Sequence, residues 1–136
     1  IAGVKDSSAD ITRPLLTAAA CGPEFNQLSG EDGNALAFLA HGGHGCISVT
    51  ANVAPGLCSR MQEAWRAGRP DEALAIHRRL MPLHGALFCE TSPSPAKYAL
   101  SRMGRCEAEV RLPLVGIGEA SKAKVEAAMA AVGINA

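Results

Sequence analysis

Lys5 closes the short apolar run Ile1-Ala2-Gly3-Val4 and is followed at once by the polar Asp6-Ser7-Ser8-Ala9-Asp10. An amine placed where a strand opens into a polar turn can act as a covalent catalyst. Burial or a neighbouring cation lowers a lysine's pKa, and the free amine then condenses with a carbonyl compound to an imine. In barrels of alternating strands and helices, the chemistry sits at the C-terminal strand ends. The same ten residues also fit a lysine that caps a strand and reaches into water.

Two further strand ends bear on that choice. Gly30-Glu31-Asp32-Gly33 closes a second apolar run and opens a helix. Such a turn can show backbone N–H groups to an anion, or simply start the helix with an acid. It lacks the G-x-G-x-x-G and Walker patterns, so no nucleotide cofactor is expected. Ser48-Val49-Thr50-Ala51-Asn52 ends a third run with hydroxyls and an amide. In a parallel sheet, Lys5, Gly30 and this segment share one edge and converge on a common pocket.

Other groupings carry less. His41-Gly42-Gly43-His44 has no carboxylate or third ligand nearby, and its glycines suit a tight helix-to-strand turn, so no metal is expected. His77 and His84 lie seven apart, but Pro82 is expected to spoil their shared face and leave them at the surface or the core edge. Arg13, Glu63 and Arg66 read as solvated helix charges.

The elements that must position these residues follow from pattern. Strands are predicted over residues 1–5, 25–29 and 45–50. Helices are predicted over 10–20, with Asp10 as N-cap, and over 34–40. Later helices fit 51–67, 70–88, 96–103 and 119–132, with a kink at Pro82, a loop over 90–95 and irregular chain over 111–118. Short apolar strands alternating with helices indicate a parallel sheet covered on its faces, either open or closed into a barrel. A composition shift near Gly68 divides an α/β part, 1–68, from a helical part, 69–136.

Hydrophobic residues make up 48% of the chain and charged ones 19%, the balance of a globular protein. Thirteen basic residues offset thirteen acidic ones, and no basic stripe favours a nucleic-acid partner. The five cysteines are scattered without a C-x-x-C pair, so free thiols in a reducing compartment are expected. Apolar runs are too short to span a bilayer, and a cytoplasmic location is expected. Starting in mid-strand and without Met, the chain reads as part of a longer polypeptide.

Three ordered motifs then carry a family likeness. They are Gly3-Val4-Lys5-Asp6-Ser7-Ser8-Ala9-Asp10, Leu28-Ser29-Gly30-Glu31-Asp32, and the run from Gly42-Gly43-His44-Gly45-Cys46-Ile47 through Ser48-Val49-Thr50-Ala51-Asn52-Val53-Ala54-Pro55. Together with Arg79-Leu80-Met81-Pro82-Leu83-His84, Pro95-Ala96-Lys97-Tyr98-Ala99-Leu100 and Arg111-Leu112-Pro113-Leu114, they resemble the C-terminal half of the dihydrodipicolinate synthase family. That family lies within the N-acetylneuraminate lyase superfamily of class I aldolases.

The resemblance implies an α/β fold: the last three parallel strands of a (β/α)8 TIM barrel, then a C-terminal helical extension. It implies that Lys5 is the Schiff-base lysine, and that Gly30 and Ile47 line the pyruvate pocket. The substrates would be pyruvate and aspartate 4-semialdehyde, on the route to diaminopimelate and lysine. A homotetramer is implied, with no metal and no cofactor. The family's tyrosine relay, its hydroxyl partners and its carboxylate-binding arginine precede the lysine strand, so this segment alone is expected to be inactive and sticky.

The segment Glu90-Thr91-Ser92-Pro93-Ser94-Pro95 departs from the family's Pro-Asn-Pro-Ile-Pro form, and Tyr98 matches no catalytic position. Three other readings remain at this level. One is another aldolase of the superfamily, such as an N-acetylneuraminate lyase or a keto-deoxy-sugar aldolase. The others are a non-catalytic barrel remnant and a small doubly wound binding domain with a structural lysine.

Overall fold

A computed structural model describes residues 1–135. Strands β1 (Gly3–Asp6), β2 (Asn26–Ser29) and β3 (Gly45–Cys46) form one sheet in that order. Both pairings are parallel, with Lys5 opposite Leu28, Asp6 opposite Ser29, and Ser29 opposite Cys46. Helix α1 (Arg13–Cys21) joins β1 to β2, and α2 (Ala35–Ala40) joins β2 to β3 after a 3-10 turn at Asp32–Asn34. These elements make one compact unit, Ile1–Ser48.

One face of this sheet is covered and the other is open, where the sequence predicted cover on both. Along β2 the alternation is clear: Gln27 and Ser29 are buried, Asn26 is exposed and Leu28 half-buried. The buried face is polar at two of its positions. It is satisfied because Gln27 Nε2 donates to the carbonyl of Pro14 in α1 at 3.0 Å, and Ser29 Oγ bonds within its own turn. The strand-period reasoning expects hydrophobes there, and local hydrogen bonds replace them.

The second compact unit runs from Val49 onward. It holds a 3-10 turn at Thr50–Asn52, then α3 (Pro55–Arg66), α4 (Pro70–Ala86), α5 (Ser94–Arg102) and α6 (Glu119–Ala131). Its core gathers Val53, Leu57, Leu80, Leu83, Leu87, Val125 and Met129. The boundary expected at Gly68 falls inside this unit, between the packed helices α3 and α4.

Prolines set two helix starts. Ala54 (φ −127°, ψ 55°) and Arg69 (φ −110°, ψ 68°) are held out of the helical region by the proline that follows each. The helix expected from residue 51 therefore begins at Pro55. Pro82 lies within α4 without ending it. It removes the donor for the carbonyl of Arg78, and both residues stand on the exposed side, where water can serve that oxygen.

His77 and His84 correct the expectation made for them. Both are buried, and their rings lie 5.5 Å apart at an interplanar angle of 43°. His84 Nδ1 lies 2.7 Å from the buried Thr50 Oγ1. The seven-residue spacing survives because α4 stays continuous through Pro82. No helix among the described residues is long and apolar enough to cross a membrane.

Candidate active site

Parallel pairing puts the C-terminal ends of β1, β2 and β3 along one rim, within the first unit. Residue alternation then sorts their side chains. Lys5, Leu28 and Gly45 are register partners and share a face, to which Ser7, Gly30 and Ile47 belong two residues further on. This is the open face of the sheet. Lys5 and Ile47 are both exposed on it, Ile47 at 48%. Lys5, Gly30 and Ile47 therefore stand at one edge, whereas segment 48–52, expected to join them, does not continue the strand: Ser48 turns to Asp32 and Thr50–Asn52 forms a 3-10 turn.

Gly30 decides how close that convergence is. A Cβ placed on Gly30 would stand 2.6 Å from Lys5 Cε, and closer still to Ser7 Oγ. The lysine side chain thus lies directly over the glycine, in space that any side chain at position 30 would claim. Backbone bonds lock the spacing: Gly30 N donates to the carbonyl of Asp6 at 2.7 Å, and Ile47 N donates to that of Ser29 at 2.8 Å. The apolar strand expected over residues 45–50 ends early. After Ile47 the chain turns so that Ser48 hydrogen-bonds the buried carboxylate of Asp32.

Asp32 is therefore not the simple acidic helix cap of the sequence reading. It is the first residue of the 3-10 turn, whose cap position is Glu31, and it ties the turn after β2 to the turn after β3. Arg13 is also more than a solvated charge. Its Nε meets Asp6 Oδ2 at 2.8 Å, across the loop that follows Lys5. Asp10, expected as N-cap, stands two residues ahead of the actual cap Thr12, whose N–H and hydroxyl both donate to its Oδ1. His44 Nδ1 accepts from Gln27 N at 3.0 Å, and the ring of His41 reaches the carbonyl of Ile11. The two histidines thus brace the sheet and the β1 loop rather than one another.

The Asp6 carboxyl is pushed up by burial. Hydrogen bonds from Ser8 and the guanidinium of Arg13 outweigh that push and hold it below the ordinary carboxylate value. A lowered folded-state pKa means that Asp6 stabilises the fold above its unfolded pKa, near 4, and ceases to as pH falls through the lower folded value. Asp6→Ala is thus expected to cost about 1–2 kcal/mol at pH 7 and less at pH 2. Thermal unfolding of the full-length protein and its variant at both pH values checks this.

The profile of the Dihydrodipicolinate synthetase family matches residues 1–132. The chain belongs to that family. It is 60% identical over 136 residues to a 4-hydroxy-tetrahydrodipicolinate synthase of Acidiphilium cryptum, covering all of this chain and 47% of the relative. The corresponding enzyme of Rhodospirillum centenum is 56% identical over 134 residues, covering 98% of this chain and 46% of the relative. A crystal structure of the chloride-inhibited dihydrodipicolinate synthase from Acinetobacter baumannii, complexed with pyruvate, superimposes with a TM-score of 0.92 at 34% identity. It covers 98% of this chain and 46% of that one.

The chain thus spans about half the length of the curated dihydrodipicolinate synthetases that it matches. Its fold is a partial (β/α)8 barrel: parallel strands with their helices, followed by a helical extension.

Proposed function

We propose that this chain supplies the C-terminal half of a pyruvate-dependent class I aldolase, with Lys5 as the imine-forming residue. The observation that carries the reading is Lys5 lying over Gly30 on the barrel-facing side of the C-terminal rim. The amine adds to the ketone of pyruvate and water leaves, giving the imine. Loss of a methyl proton gives an enamine, whose carbon attacks the aldehyde of aspartate 4-semialdehyde and regenerates the imine. The substrate's amino nitrogen then adds to the imine carbon and expels the Lys5 amine, closing the ring of 4-hydroxy-tetrahydrodipicolinate. The named relatives support that aldehyde over the sugar aldehydes of the wider superfamily.

Each rim residue has a part in this. Gly30 leaves room for the bound keto acid beside the lysine. Ile47 offers an apolar wall on the same face, which excludes water from the imine once the barrel closes around it. Residues 1–68 form the barrel's share of the chain and 69–136 the extension, since α3 follows the last strand as its partner helix. The complete enzyme is a cytoplasmic homotetramer on this reading, supported by the family likeness.

Borohydride reduction in the presence of pyruvate tests the reading in the full-length protein. One reduced pyruvyl group should appear on Lys5, and Lys5→Ala should show none, with condensation falling by about a thousandfold or more. An unlabelled Lys5 in a folded, active protein would refute it.

A further inference from the structure

Ala9 has φ +62°, in the left-handed region where a Cβ crowds the following carbonyl and glycine is the usual occupant. It is exposed, so packing of its own methyl does not hold it there. Such a conformation persists where neighbouring groups over-determine it, and it gathers at functional sites. Here the neighbouring groups are Ser8, whose Oγ accepts from Asp10 N at 3.3 Å across Ala9, and Asn34, whose Nδ2 donates to the carbonyl of Ala9 at 3.3 Å.

Asn34 is itself anchored in the sheet. Ser29, wholly buried at the end of β2, places its Oγ 3.0 Å from both Asn34 Oδ1 and the carbonyl of Glu31, sharing its single proton between them. The same Oγ accepts from Glu31 N at 3.0 Å. A rigid chain of contacts therefore runs from β2 through Asn34 to the loop after β1. At the other end of that loop Ser7 shares with Lys5 the space over Gly30. Ser7 and Ala9 stand two positions apart in that loop, so Ala9 is the point at which Asn34 steadies the segment that carries Ser7 beside the lysine.

We infer that Asn34 is a positioning residue, holding Ala9 left-handed so that Ser7 and the Lys5 side chain keep their places over Gly30. This rests on Lys5 being the imine-forming residue. It assigns Asn34 no contact with substrate. Its effect is on how often the amine stands where the keto acid needs it, so it acts on the rate of imine formation rather than on pyruvate binding.

The test uses the full-length protein and three variants: Asn34→Ala, Ala9→Val, and Asn34→Ala combined with Ala9→Gly. Single-turnover borohydride trapping with pyruvate should slow roughly tenfold in the first two, with KM for pyruvate changed far less than kcat. Valine is β-branched and resists a positive φ, so it should reproduce the loss with Asn34 intact. Glycine adopts that φ freely, so the double variant should recover most of the rate. A general loss of structure would not be reversed by glycine at an exposed loop position.

Amide exchange at residues 7–10 gives a second, chemistry-free reading. It should quicken about tenfold in Asn34→Ala and slow again in the double variant. Unchanged trapping and exchange in Asn34→Ala, or no recovery with Ala9→Gly, would overturn the inference. A wild-type protein that is never labelled on Lys5 would instead overturn the aldolase reading, while the exchange data would still decide whether Asn34 holds the loop.

Discussion

Gly30→Ala is expected to slow imine formation by about a hundredfold while leaving the fold intact. The new methyl group would fall 2.6 Å from Lys5 Cε and overlap Ser7 Oγ, with Ser7 Cβ at 3.1 Å. Carbon atoms do not approach so closely, so one party must move. Ser7 is the stiffer: its loop is held by Asp6 pairing with Arg13 and by Asn34 bonding Ala9. The end of the lysine is a flexible chain and yields first, carrying its amine away from the reacting carbon. A displacement of about 1 Å at a covalent catalyst is enough for a loss of that size.

The backbone at Gly30 has no positive φ that alanine would strain. Thermal unfolding should therefore shift little, which separates this loss from simple destabilisation. Borohydride trapping with pyruvate, in the full-length protein and its variant, is the measurement. A variant trapped within about threefold of the parent rate would show that the lysine works from another position.

Why the sequence made Lys5 and Gly30 legible, but not their supports, has a physical answer. Strand period and the rule that parallel strands share an edge are local or topological, and both can be read from residue types. The supports are single hydrogen bonds between residues far apart in the chain. Asn34 and Ala9 are 25 positions apart, Ser48 and Asp32 16 positions. Nothing at either end announces the partner. A Ser on a buried strand face, such as Ser29, or an Asp in a buried turn, such as Asp32, looks like a fault in the apolar pattern until its partner is seen.

Boundary errors have an equally specific origin. The pattern places helix α3 from residue 51, four residues early, whereas Pro55 keeps Ala54 out of the helical region and the helix starts at the proline. The start expected at Pro70 is the one observed, and the kink expected at Pro82 does not end the helix. An interior proline costs a helix one hydrogen bond, and here the stranded carbonyl of Arg78 is on the solvent side, so α4 continues and brings His77 against His84. Exposure of the i−4 carbonyl, readable from the apolar stripe, would have identified the tolerated case.

The 136-residue polypeptide, prepared alone, is expected to self-associate and to acquire no label from pyruvate and borohydride. Adding a polypeptide that carries the preceding strands of a close relative should restore Lys5 labelling to within about tenfold of the intact enzyme. The first unit leaves apolar surface uncovered. Val4, Ile11, Leu15, Leu16 and Ile47 are all exposed, at 38 to 66%. Among the described residues, β1 pairs on one side only, with β2. An apolar surface beside an unpaired strand edge recruits whatever strand is available.

A second copy can satisfy that edge, but it brings no strands that complete the ring. A (β/α)8 barrel needs eight strands and roughly 250 residues to close, and closure turns the face with Lys5 and Ile47 inward. Until then the amine stands in water. Complementary strands should thus convert a self-associating sample into one that unfolds cooperatively and is labelled at Lys5, with sedimentation and intact mass as the two readings. A monomer that unfolds cooperatively and labels unaided would mean that Lys5 draws its reactivity from the loop and the Gly30 turn alone, with no contribution from enclosure.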